Sequence, residues 1–128
     1  MAKLRKMSME ELHAFRGVLH TVGDVIAAFC CQPRFLREDS NNYNDAGEAL
    51  EDLLEFVSRY EQALFNVSRA AKPTASREVE WRAWTLLSYE ADCADSLSSF
   101  AVLASEAARD KADAKSRERY APKIGGAK

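Results

Sequence analysis

Apolar residues recur along this chain at alternating spacings of three and four. Leu12, Phe15, Leu19, Val22, Ile26 and Phe29 form the first series, and that spacing puts side chains on one face of an α-helix. Val18 and Val25 widen the stripe. Ser8 stands ahead of it with Glu11 three residues on, the pattern of a capping box, in which each side chain accepts from the other residue's free backbone N–H. Pro33 lies just past the end, where a helix cannot easily continue. A helix over roughly 8–31 is predicted.

The second series is Ala46, Leu50, Leu53, Val57, Tyr60, Leu64 and Val67, supported by Leu54. It predicts a helix over roughly 45–71, with Asn44 or Asp45 as its cap. Between the two helices lies QPRFLREDSNNYN, residues 32–44, which holds turn formers and no periodicity. A connection that long is often functional. Its Phe35, Leu36 and Tyr43 either fold back over the bundle end or form a contact site. After Pro73 the short KPTAS linker predicts an antiparallel return.

The third series runs through Val79, Ala83, Leu86, Glu90, Cys93, Leu97, Phe100, Ala104 and Ala107. No proline or glycine interrupts it, so a single helix over roughly 76–118 is predicted. At about 1.5 Å per residue that helix would approach 65 Å, against about 35–40 Å for the first two. Part of it would then overhang, fray or dock on a second subunit. Glu90 sits on the stripe and is expected to turn toward water as the pattern drifts. The expected fold is all-α: an antiparallel bundle of three long helices in one domain, 1–119, with 120–128 as a flexible basic tail.

Composition narrows the picture. The 128 residues suit one domain, and 47 % hydrophobic with 30 % charged residues suffices for a core without disulfides or metals. The longest uninterrupted apolar run, Val25–Cys31, is far short of the ~20 residues of a membrane span. No apolar stretch follows the basic MAKLRKM, so no secretory signal is expected. Three cysteines, two of them adjacent, do not suggest a disulfide framework and favour a reducing cytoplasm. The net charge of −2 is unevenly laid out: residues 38–61 hold one basic residue against eight acidic, and residues 109–128 hold seven basic against three acidic. That pattern reads as a solvated acidic face and a basic tail, or as complementarity to a basic partner or a second copy. It is not the basic footprint of a nucleic-acid binder.

Chemistry concentrates in HAFRGVLHTVGD, residues 13–24. His13, Phe15, Arg16, Gly17 and Gly23 resemble the signature of histidine phosphotransfer domains. The resemblance implies a phosphoacceptor role for His13, room beside Gly17 for a receiver domain's aspartyl phosphate, and Arg16 as the cation that stabilises phosphate charge. The alternative is structural: Gly17 would permit a close helix crossing while His13 and His20 flank the core. Glu10, His13, His20 and Asp24 also lie near one stripe, and Glu10-x-x-His13 has the spacing used in di-iron bundles. That motif occurs only once, and the cysteines lack zinc spacing. Neither metal nor cofactor is expected. A Walker-type phosphate loop is absent, and Cys30, Cys31 and Cys93 read as small helical residues rather than nucleophiles.

Trp81 and Trp84 lie partly off the third stripe. They widen the core or anchor an interface, where aromatic residues are enriched. The expectation is a small cytoplasmic, non-enzymatic protein-interaction module of adaptor, regulator or inhibitor type, with Trp81 and Trp84 as anchors and the 33–43 loop as a second contact. Its partner would be another protein or, in a homo-oligomer, a second copy, with neither nucleic acid nor membrane involved. A phosphocarrier using His13 and a metal-binding helical bundle are the alternatives.

Overall fold

A computed structural model describes residues 2–38, 41–93 and 96–121. Among these residues four α-helices follow one another: α1 (Met9–Cys30), α2 (Asp45–Ala70), α3 (Ser76–Cys93) and α4 (Leu97–Tyr120). The only extended pairing among them is an isolated antiparallel bridge between Leu36 and Tyr43. The fold is all-α.

Local chemistry sets the starts of the first two helices. Ser8 Oγ accepts from the Glu11 N–H at 3.2 Å, and the Glu11 carboxylate accepts from the Ser8 N–H at 2.7 Å, completing the capping box. Asn44, rather than Asp45, caps α2 by accepting from the Gly47 N–H at 2.9 Å. Asp45 and Glu48 then sit in the first turn, where the helix dipole favours negative charge.

The single long third helix is a correction. The structure ends α3 at Cys93 and starts α4 at Leu97, with the Ser96 hydroxyl accepting from the Ser99 N–H at 3.3 Å. Helix α4 then runs back along α3. Glu90 meets Ser99, Arg82 meets Asp110, Glu80 meets Lys111, and the Ser76 N–H meets Glu118. Falling numbers on α3 matched by rising numbers on α4 define an antiparallel hairpin. The physical reason is burial. A continuous rod would leave its second half unpacked, and helices of this length draw most of their stability from tertiary contact. Folding back buries Ala114 completely and Leu86 to 2 % exposure. The bundle therefore has four helices among the described residues, and the length mismatch that pointed to an overhang or a docked second subunit does not exist. The tail expected over 120–128 is shorter at its start, since Tyr120 belongs to α4; residues 122–128 lie outside the described ones.

Two apolar clusters form the core. One gathers Leu4, Met9, Leu12, Ala63 and Leu64, with Leu4 brought under the bundle by a short 3-10 turn, Leu4–Lys6. The other gathers Ile26, Cys30 and Val57. The buried face of α1 is rotated from the predicted stripe: Arg16 and Cys30 are buried, whereas Val18, Val22, Val25 and Phe29 are exposed. Helix α1 packs against both α2 and α3, which pulls its contact face round toward the Arg16 side.

Candidate functional site

The histidines and Arg16 share the side of α1 that faces α3. His13 is half-buried, its ring centroid 5.1 Å from that of Trp81 and its Nδ1 3.4 Å from the Thr85 hydroxyl. Burial, with help from the nearby Arg16 charge, holds the His13 pKa below its ordinary 6.5. The Arg16 guanidinium is buried. It donates to the Ser88 carbonyl at 3.1 Å and pairs with the Asp92 carboxylate. His20 stands one turn further, 3.6 Å from Asp24, 3.8 Å from Asp92 and 4.0 Å from Glu61. His13 and Arg16 of the phosphotransfer resemblance are thus turned into a polar seam between helices. His13 stacks on an indole, and Arg16 is committed to a carboxylate and a carbonyl.

Glu10 leaves the stripe to pair with Arg77 at 2.9 Å. Among the described residues, no three His, Cys, Asp or Glu side chains are placed to hold a metal ion. Glu90, expected in water, is half-buried and accepts from the Ser99 hydroxyl at 2.8 Å. It lines an open cleft of about 380 Å³ where Phe65 of α2 and Leu86 of α3 approach Val102 of α4.

The structural account of Gly17 is also corrected. A Cβ added there would meet nothing within 4 Å, so no helix crosses closely at that point. The glycine that does permit a close approach is Gly47, which the sequence pattern did not single out. A Cβ there would collide with the Phe35 carbonyl oxygen and fall 3.0 Å from Tyr43 Cβ. The 33–43 segment rests on the start of α2 at this point. Asn44 Nδ2 donates to the Arg34 carbonyl at 2.8 Å, and Arg37 donates to the Tyr43 carbonyl at 2.7 Å and to Glu48 at 3.0 Å. Phe35 meets Phe29 edge to face, and Tyr43 packs on the second core cluster. Phe35, Leu36 and Tyr43 are all half-buried at this end of the bundle.

The two tryptophans are separated in role. Trp81 is half-buried against the first core cluster and His13, whereas Trp84 is 53 % exposed. A larger exposed apolar surface lies elsewhere. Val18, Val22, Val25 and Phe29 follow one another down the outer side of α1, and Leu53 and Phe56 of α2 are exposed as well. Between Leu12 and Cys31 the only Lys, Arg, Asp or Glu residues are Arg16 and Asp24. Arg16 is buried in the polar seam, whereas Asp24, beside His20, is largely exposed, so Asp24 is the single exposed charge along that stretch of α1.

No family model, curated protein or solved structure matches the chain. Among the described residues no helix is long and apolar enough to cross a membrane.

Proposed function

We propose that the protein is a non-enzymatic helical interaction module, of adaptor, regulator or inhibitor type, that presents a rigid helical face to a protein partner or to a second copy of itself. The observation that carries this reading is the exposed apolar row on the outer side of α1, Val18, Val22, Val25 and Phe29, on a helix whose other side is fixed by a polar seam and two core clusters. Contiguous exposed apolar surface costs free energy in water and marks interaction sites. Leu53 and Phe56 of α2 are exposed as well. Trp84 is the exposed one of the two tryptophans and supplies a second anchor on α3. The chemistry of the histidine stripe serves the α1–α3 contact in this reading, since His13 and Arg16 are engaged there.

The test is affinity capture from the native host, comparing the wild type with Val18→Glu/Val25→Glu and with Trp84→Ala. The charged pair is expected to abolish specific capture while circular dichroism stays native. Equal capture by all three proteins would remove both surfaces from consideration.

A further inference from the structure

The first core cluster does not close where α1 begins and α2 ends. Leu4, Leu12 and Leu64 are sealed, but a cavity of about 480 Å³ opens to solvent beside that cluster. One wall is the segment entering α1, through Met7 and Met9, and the other is the C-terminal end of α2, through Ala63, Val67 and Ala71. All five of these residues belong to the cluster. Small-ligand sites have this character: concave, mostly apolar, and about 300–1,000 Å³ in volume. The alanines leave space that longer side chains would fill, and the unbranched methionines adapt to an irregular guest.

Two polar residues line the cavity, Arg5 and Asn66, and Arg5 is its one charged group. Asn66 Oδ1 already accepts from Gln62 at 3.4 Å, so what both residues have left to offer is N–H donors. The acidic residues at this end of the bundle are committed elsewhere. Glu10 pairs with Arg77, and Glu11, Glu78 and Glu118 accept from the backbone N–H groups of Ser8, Met9 and Ser76. Lys3, Arg5, Lys6 and Lys72 are exposed and have no carboxylate partner among the described residues. An apolar recess with a donor-only, cationic mouth suits a guest with a hydrocarbon chain and an anionic head. We propose that this cavity binds one small anionic amphiphile of the alkyl carboxylate class. Its chain lies against the methionine and alanine walls, and its two oxygens meet the Arg5 guanidinium, whose paired N–H groups match a carboxylate, and the Asn66 amide. The walls come from the N-terminal segment and from α2, so the bound ligand holds the two together and stabilises the folded chain. The contacts lie inside a recess, which commits the site to a free amphiphile rather than to a bilayer surface.

This inference goes beyond the interaction-module reading and uses none of the exposed valines of α1. It is tested on the purified full chain by isothermal titration calorimetry with decanoate below its micelle concentration. Tryptophan emission in a Trp84→Phe background is the second readout, because Trp81 packs on the same cluster. One decanoate is expected to bind per chain and to change Trp81 emission. Decyltrimethylammonium, with the same chain length and the opposite charge, should bind at least about tenfold more weakly. Arg5→Gln, which alters an exposed side chain, should weaken decanoate binding roughly tenfold and leave circular dichroism native. Ala70→Phe, at an exposed position lining the cavity, should fill it and block binding, again with native circular dichroism. Absence of decanoate binding overturns the proposal, as does equal binding of the cationic amphiphile. Unchanged affinity in Arg5→Gln or in Ala70→Phe overturns the site. Cosedimentation with anionic phosphatidylglycerol vesicles without binding of free decanoate overturns the commitment to a free ligand.

Discussion

Gly17 in the middle of α1 and Gly47 in the first turn of α2 face opposite surroundings, and the difference is measurable. Gly17 looks onto open space, so Gly17→Ala should raise protomer stability by about 1 kcal/mol through the helix propensity gained. Gly47→Ala drives a methyl group into the Phe35 carbonyl and should cost about 1–3 kcal/mol. Urea denaturation of both variants checks the pair. The tryptophans divide in the same way. Trp81→Ala should cost about 2 kcal/mol because the indole packs on the first cluster and on His13, whereas Trp84→Ala should stay within about 0.5 kcal/mol. His13 adds a pH dependence. Its folded pKa is lowered, so the unfolded chain takes up a proton first as pH falls past 6.5. Stability should therefore be full above that value and decline below it, and His13→Gln should flatten the decline in melting curves between pH 7 and 5. Of these residues, the sequence marks His13, Arg16 and both tryptophans as unusual. It does not say which way they point, because a shift of one position around a helix moves a side chain by about 100°.

At the scale of elements, the capping residues are legible in the amino-acid order alone. Ser8 with Glu11, and Asn44, act on backbone groups within three residues of themselves, so local sequence suffices. The break between α3 and α4 is not legible in that way. Residues 76–119 contain no proline or glycine, and what ends α3 is the gain from packing α4 against it, a distant contact. The hairpin has a chemical signature. Glu118 is held below its ordinary 4.5 by the Ser76 N–H and side chain, and Glu80 by its hydrogen bond to Lys111. Lowered carboxylate pKa values mean that their contribution is present above pH 4.5 and lost as pH falls below it. Acid below pH 4.5 should therefore loosen the α3–α4 contact, and Glu118→Gln should shift that loosening. Hydrogen exchange of α4 amides against pH measures it.

For the whole molecule, the helices are not equally supported. Helices α1, α2 and α3 pack on one another, whereas α4 packs chiefly on α3. Local opening follows the density of buried contact. Native-state hydrogen exchange should therefore find α4 opening at a lower free energy than the α1–α2 pair, and equal protection throughout would contradict this layout. By itself the sequence determined that the protein is all-helical, where the first two helices begin, and that its apolar residues exceed what one tidy stripe per helix can hide. Those properties depend on periodicity and on hydrogen bonds within a turn. Only the tertiary structure decided that the third series is two helices, that the histidine stripe is an internal seam, and that the surplus apolar residues emerge on the outside of α1. The reason is geometric. Amphipathic spacing says which residues share a face, but burial depends on how many neighbours compete for that face, and α1 turns Arg16 inward and Val18 outward because it packs against two helices at once.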